Sequence, residues 1–466
     1  MNVLLLQPVA DPAARRHPYR REVAEVGAAL EADGHAVRLR VLEPGEEPAL
    51  AADLADTHPG AVALYVESLS ANLARRLAEQ VRAVADAPLV AFGPHARLSP
   101  DDTLSAAGVE AVAIGPADRS LPAYLRQAEA GLEHLKTPGL WIKCASGVMR
   151  NPPPPPPESL ADEPLPARHL YAEKTVLDAA GFAEVGVSRG GEGSAAAPPD
   201  ARPAPAACWP VLHRPVRAVL DEMRDLAERH LDLAGFRITN ARWASSSGRL
   251  GRLDQASWLA RFADPCRTEL GLPLRTTLEP ADVNDETAPL LARAGCEEVL
   301  IEVGSGSTLI RTDILGLGAS AEALRAAFAA LRRARVGSAA RIEIGAPYET
   351  AASLEETLAI LARLDPDRVE AHLHYPAPGT RSYAAARENG WLVGDPAGAY
   401  LAGRPALALS SLSADDLLTA VEAIPYAVHR PRLAALIRLA RRARIGRGRT
   451  LHELVLKPFL GPPVRR

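Results

Sequence analysis

A rhythm restricts the fold of this chain more than any other feature: short apolar runs alternate with helical stretches over residues 1–130 and again from Phe182 onward. Apolar runs bounded by turn residues read as buried strands, and strands that alternate with helices imply a parallel sheet covered by those helices. In the first stretch the strands are expected at Asn2–Leu6, Val37–Val41, Ala61–Val66, Leu89–Phe92 and Glu110–Ile114. Helices are expected over Arg21–Asp33, Leu73–Ala85 and Pro100–Ala107. Ligands of such doubly wound sheets bind at the carboxyl ends of the strands, here the loops after Leu6, Val66 and Phe92.

The second stretch repeats the rhythm six times. Its strands are expected at Phe182–Val187, Phe236–Thr239, Leu274–Leu278, Glu298–Val303, Arg341–Ile344 and Arg368–His374. The helices between them are expected over Val216–His230, Gln255–Leu270, Asp285–Ala294, Ala321–Ala334 and Ser353–Leu364. Successive βα units without a reversal point to a partial (βα)6 barrel, with its chemistry at the carboxyl ends of the strands.

Two breaks set the domain limits. Pro152 to Pro157 are consecutive prolines, which adopt polyproline II at about 3.1 Å per residue and read as a semi-rigid linker. Gly190–Pro205 is mostly Gly, Ala and Pro and reads as a loop. The expected division is a Rossmann-like domain over 1–135, a Pro-rich linker over 136–180, a barrel over 181–385 and a helical, basic C-terminal region over 386–466. From residue 430 onward that region carries Arg430, Arg432, Arg438, Arg441, Arg442, Arg444, Arg447, Arg449, Lys457, Arg465 and Arg466 against Glu453. It reads as the solvated basic face of a docked helix.

Composition then excludes some function classes. A formal net charge of −4 argues against nucleic acid, whose phosphates need a basic surface. No apolar run approaches the roughly 18 residues of a membrane span. The opening MNVLLLQP enters a strand with no basic n-region, so a cytoplasmic protein is expected. Cys144, Cys208, Cys266 and Cys296 are scattered, with no C-x-x-C pair among them.

Several local strings now acquire a meaning. Gly93-Pro94-His95-Ala96 precedes Ser99-Pro100, and Gly115 through Pro122 forms a turn that opens Gly115-Pro116. Ala294-Gly295-Cys296 leads into a strand, and Gly345-Ala346-Pro347-Tyr348-Glu349-Thr350 and Tyr375-Pro376-Ala377-Pro378-Gly379-Thr380 follow strands. In this order and spacing, over about residues 1–385, the chain resembles the radical-SAM enzymes with an N-terminal cobalamin-binding domain. The resemblance implies an α/β protein: a doubly wound cobalamin-binding sheet, a partial TIM barrel of radical-SAM type and a small helical C-terminal region. It implies cobalamin across the first domain's strand ends, near Gln7, Asp11, Glu67, Ser68, Gly93, Pro94, His95 and Ala96. The D-x-H-x-x-G string that supplies a histidine beneath the cobalt is absent. Asp56-Thr57-His58-Pro59-Gly60 is one residue short of it and reads as a loop. In the barrel the resemblance implies an S-adenosylmethionine (SAM) pocket at Gly304, Ser305, Gly306 and Gly345.

One departure is decisive for the chemistry. The family holds a 4Fe–4S cluster with three thiolates, spaced C-x-x-x-C-x-x-C after a Ser-Arg-Gly-type turn. Here Ser188-Arg189-Gly190 is followed by Gly191, Ala195 and Pro198 at those positions. If Cys208 is aligned as the third ligand instead, Pro205 stands at the middle one. The cluster is therefore expected to be absent, and no metal site is expected elsewhere. Two readings remain open. In the first the chain is an atypical cobalamin-dependent enzyme, methyltransferase-like on a small molecule, with Glu349, Glu302 and His374 as acid–base candidates. In the second it is catalytically inactive and binds and stabilises a cluster-bearing paralogous partner.

Overall fold

A computed structural model of the chain describes residues 1–190, 210–239, 252–442, 444–445 and 449–450. It divides at Gly235–Phe236 into two compact units, with the short stretch 377–379 counted in the first.

The first unit is built on β1 (Asn2–Pro8), β2 (Ala36–Leu42), β3 (Ala61–Tyr65), β4 (Leu89–Phe92) and β5 (Ala111–Ala113), ordered β2-β1-β3-β4-β5 and all parallel. Strand period sorts its side chains into two cores. Val3, Leu5, Ala63, Tyr65 and Phe92 pack with α1 (Arg21–Ala32) on one face. Leu4, Leu6, Val62, Leu64 and Leu89 pack on the other with Leu50 and Leu54 of α2 (Glu47–Thr57) and with α3 (Ala71–Val84). Helix α2 was not anticipated. Short helices α4 (Pro94–Leu98) and α5 (Pro100–Ser105) follow β4, and α6 (Ala117–Glu129) follows β5.

The segment read as a linker is corrected by the structure. Its first part forms β6 (Leu140–Cys144) and β7 (Gly147–Arg150), which extend the first sheet antiparallel beyond β5. The buried Asn151 amide then donates to the carbonyls of Leu135 and Leu140 at 2.9 Å each. Beyond the prolines, Leu160, Ala167, Tyr171 and Val176 are buried, so 136–180 packs on the first unit instead of spacing two bodies apart.

The second sheet is ordered β13-β12-β11-β10-β9-β8. Its strands are β8 (Phe182–Gly186), β9 (Gly235–Thr239), β10 (Leu274–Leu278), β11 (Cys296–Gly304), β12 (Gly337–Ile344) and β13 (Arg368–Leu373), parallel from β9 to β13. The helices alternating with them are α7 (Val216–Arg229), α8 (Arg252–Pro265), α9 (Thr287–Arg293), α10 (Ala321–Ala334) and α11 (Ala351–Leu364). Order and chain sequence coincide, as a partial barrel requires.

The C-terminal region is helical, as expected, and part of it joins the second sheet. After α12 (Arg381–Glu388) and α13 (Pro396–Leu401), α14 (Ala414–Ala427) packs on β13 and β12, and α15 (Pro431–Arg442) packs on α14. Leu417 of α14 lies against Gly345 beyond the carboxyl end of β12. His429, just past that helix, reaches the Pro366 carbonyl before β13 at 2.6 Å. Helix α14 therefore runs back along the sheet and completes the sixth βα unit. Among the described residues no helix is long and apolar enough to cross a membrane.

Candidate functional site

Strand order fixes where the first unit can take a ligand. Between β1 and β3 the winding reverses, and the crevice outside those carboxyl ends is the binding position of open α/β sheets. Glu67, after β3, accepts from Arg20 Nε at 2.5 Å and from the Tyr65 hydroxyl at 3.2 Å. Asp11 lies half-buried in the loop after β1. Gln7 is turned inward instead: its amide nitrogen donates to the Pro18 carbonyl and its oxygen accepts from Tyr171, both at 2.5 Å.

The Gly93–Ala96 string forms the turn into α4. Gly93 has φ 111, and a Cβ there would lie 2.8 Å from the Val66 carbonyl oxygen, so internal packing alone requires glycine. Pro94 opens α4, and Ala96 is fully buried. His95 is buried between Ser68, 3.1 Å from its Nδ1, and Asp102, 3.4 Å from its Nε2. Burial pulls the imidazole below its usual range, against the opposing pull of Asp102.

In the second unit, period two puts Glu298, Glu302, Arg341, Glu343, Arg368, Glu370 and His372 on one face of β11, β12 and β13, and Val299, Ile301, Ile342, Ile344 and Val369 on the other, where they are buried. Paired rungs form a ladder. Glu302 accepts from Arg341 at 2.8 Å, Arg341 reaches Glu370 at 2.9 Å, and Arg368 reaches Glu298 at 2.6 Å and also Glu370. The hydrogen bond from His372, with those from Arg368 and Arg341, holds the Glu370 carboxyl well below the carboxylate range. Glu302 is raised by burial, which outweighs its Arg341 partner. Glu302, a sequence candidate for acid–base work, thus has a rung partner.

Glu349 and His374 are placed differently. Glu349, in the turn after β12, is fully buried; its Oε2 accepts from the Gly345 backbone N–H, and its Oε1 has no partner. Burial pushes its carboxyl up to about 7, a shift that the Gly345 bond opposes and the Glu343 charge adds to. His374, one residue past β13, is 6 % exposed; its Nδ1 bonds to Glu343 Oε2 and its Nε2 has no partner. Burial raises the Glu343 carboxyl, but the charge and hydrogen bond of His374 bring it below the usual value. Sequence reasoning missed Glu343. The available signal was its position two residues after Arg341, on the same face of the strand.

The glycines read as a SAM pocket have protein over them. A Cβ on Gly304 (φ 69) would meet Leu317 at 2.5 Å, and one on Gly306 would lie 2.3 Å from the α11 backbone at Glu356 and Thr357. Gly345 (φ 88) faces Leu417. Ser305 is buried, and its carbonyl accepts from Arg311 at 2.9 Å, while the Gly306 N–H donates to Thr357 at 2.9 Å. The turn is knitted to its own unit.

The turn before the missing cysteines is also locked. Arg189 is shared among Asp118 at 2.7 Å, Glu163 at 3.0 Å and Glu25 at 3.4 Å. Gly191, Ala195, Pro198, Pro205 and Cys208 lie outside the described residues. Of the other cysteines, Cys144 ends β6, and Cys266 and Cys296 are buried before or at the amino end of β11, with thiols pushed up to about 12 by burial. Such thiols resist the deprotonation that a cluster ligand needs. The cysteines described do not fit a 4Fe–4S cluster.

Neither a protein-family model nor a curated protein matches the chain. Solved structures do. The radical S-adenosylmethionine methyltransferase TsrM from Kitasatospora setae, seen with cobalamin and a 4Fe–4S cluster bound, is 20% identical with a TM-score of 0.62, covering 83% of this chain and 75% of that one. The cobalamin-dependent S-adenosylmethionine radical enzyme OxsB matches at 12% identity and a TM-score of 0.64, covering 96% of this chain but only 62% of OxsB. With OxsB carrying aqua-cobalamin and S-adenosylmethionine the identity is 14% and the TM-score 0.62, over 82% of this chain and 54% of that one. At these identities the likeness is one of fold, and it spans both sheets: this chain has the fold of the cobalamin-binding radical-SAM enzymes.

Proposed function

We propose that the chain is an atypical enzyme of the cobalamin- and SAM-binding fold that works without a 4Fe–4S cluster, in the manner of a methyltransferase acting on a small molecule. One observation carries the enzyme reading. Glu349 and His374 are buried ionisable side chains at adjacent strand ends, and each keeps one polar atom unpartnered. An unsatisfied buried polar atom costs about 1–3 kcal/mol, and such sites persist where a ligand supplies the missing partner. Cobalamin would be held at the β1/β3 crevice by the loops that carry Asp11, Glu67 and Ser68, and it supplies methyl-group carriage when bound. The chain's own residues bind, orient and exchange protons: Glu349 with a carboxyl poised near neutrality, His374 through Nε2. The competing reading, a partner protein for a cluster-bearing relative, draws support from the protein packed over Gly304 and Gly306.

Titration calorimetry of the full chain with hydroxocobalamin, and then with SAM, separates the two readings. Stoichiometric cobalamin binding, together with methyl label passing from SAM to a small molecule of a cell extract, supports the enzyme. No heat with either ligand, but a stable complex with a cluster-bearing relative, supports the partner.

A further inference from the structure

Glu343 and His374 meet where β12 and β13 end, and their contact decides which histidine nitrogen is left to act. A carboxylate only accepts hydrogen bonds. The bond between Glu343 Oε2 and His374 Nδ1 therefore requires the proton on Nδ1, and in the neutral ring Nε2 keeps its lone pair. Nε2 is buried and without a partner, and the backbone that carries the ring is held by the His374 N–H, which donates to the Ile344 carbonyl at 2.7 Å. Glu349, in the same unit, adds a second unpartnered buried atom, Oε1. Among the described residues the surrounding charge is acidic. The Arg341 guanidinium is already shared by Glu302 and Glu370, and His372 leans on Glu370 at 3.5 Å.

We propose that Glu343 is a positioning residue that holds His374 with Nε2 as the proton acceptor for a small molecule presenting an N–H or O–H group, neutral or cationic and not anionic. The proton leaves the heteroatom of that molecule for Nε2, the electron pair stays on the heteroatom, and the imidazolium formed is held by the Glu343 carboxylate. The inference rests on the enzyme reading above and adds to it the class of substrate and the orienting residue.

The test uses the full chain labelled with ¹⁵N at histidine, the His374 signals being assigned by their loss in His374→Gln. Two-bond ¹H–¹⁵N spectra of the parent show Nδ1 protonated and Nε2 bare. Glu343→Ala loses that pattern, and Glu343→Gln, whose amide oxygen can accept the same bond, restores it. Methylammonium, as a cationic N–H probe, shifts the Nε2 signal of the parent, and acetate does not. A parent with the proton on Nε2, a Glu343→Ala variant with an unchanged pattern, or a response to acetate alone would each overturn the proposal. If Glu343→Ala fails to fold, the parent and Glu343→Gln spectra decide. Neither readout needs cobalamin, SAM or turnover, so a chain that binds no cobalamin can still pass this test, and the two failures stay distinct.

Discussion

At the scale of single residues, Glu349 carries the sharpest consequence of burial. In the unfolded chain its carboxyl titrates at 4.5, and in the fold at about 7. The raised value means that the fold prefers the neutral acid. The associated stability is complete below 4.5, is lost as pH rises towards 7, and stays lost above it. Each tenfold change in proton affinity is worth about 1.36 kcal/mol, so the loss amounts to at most about 3.4 kcal/mol. Glu349→Gln keeps the shape and stays neutral, so it should melt progressively above the parent as pH rises across this window and at a constant offset beyond it. Parallel melting curves of parent and variant over the same range would show that the carboxyl is not held neutral. In turnover the same substitution should cost roughly 10²–10⁴ in rate if Glu349 exchanges a proton with the substrate.

At the scale of elements, the glycines after β11 separate two roles that a sequence cannot. Gly306→Ala places a methyl group 2.3 Å from the α11 backbone, a clash that flexible side chains cannot relieve, and overpacking of this kind costs about 1–3 kcal/mol. The expected result is a melting temperature lowered by several degrees, with ligand affinity reduced only in proportion. An unchanged melting temperature with selectively weakened SAM binding would return Gly306 to the ligand. The elements themselves were largely legible. Leu89–Phe92, Leu274–Leu278 and Ala321–Ala334 lie where apolar period and turn residues put them. Those missed have physical reasons. Helix α2 buries only Leu50 and Leu54, too thin a stripe to register as amphipathic, and β7 is a largely exposed edge strand beside the prolines. Helix α14 was set apart from the barrel because α12 and α13 intervene before it. In the site, Glu349 and His374 could be read from their positions after strands. Glu343 was harder to read: its place on the face of Arg341 was a signal, but a charge on a strand reads equally well as a solvent-facing residue, and only the fold shows the histidine it holds.

At the scale of the whole molecule, fold and chemistry part company, and iron is the place to measure the distance between them. The fold is that of the cobalamin-binding radical-SAM enzymes, yet a cluster demands three thiolates, and the cysteines among the described residues do not suit that role. Cys266 follows α8 and Cys296 opens β11, both with thiols that burial keeps protonated, and Cys144 belongs to the first sheet. Cys208 is one ligand where three are required. Residues 191, 195 and 198 are Gly, Ala and Pro, none of which ligates iron. Meanwhile Arg189 is tied to three carboxylates, so the turn that would lead into a cluster loop is stabilised by ion pairs of its own. Anaerobic reconstitution with iron and sulfide should therefore leave the chain without a stoichiometric cluster absorption or the electron paramagnetic resonance signal of the reduced form. Cys208→Ala should match the parent in iron content and in melting temperature. About four irons per chain, lost in that variant, would refute the cluster-free reading and put single-electron chemistry back in this barrel. Iron-free protein that still binds cobalamin would instead leave the first unit's ligand crevice and the Glu343–His374–Glu349 group as the parts of the fold that carry function.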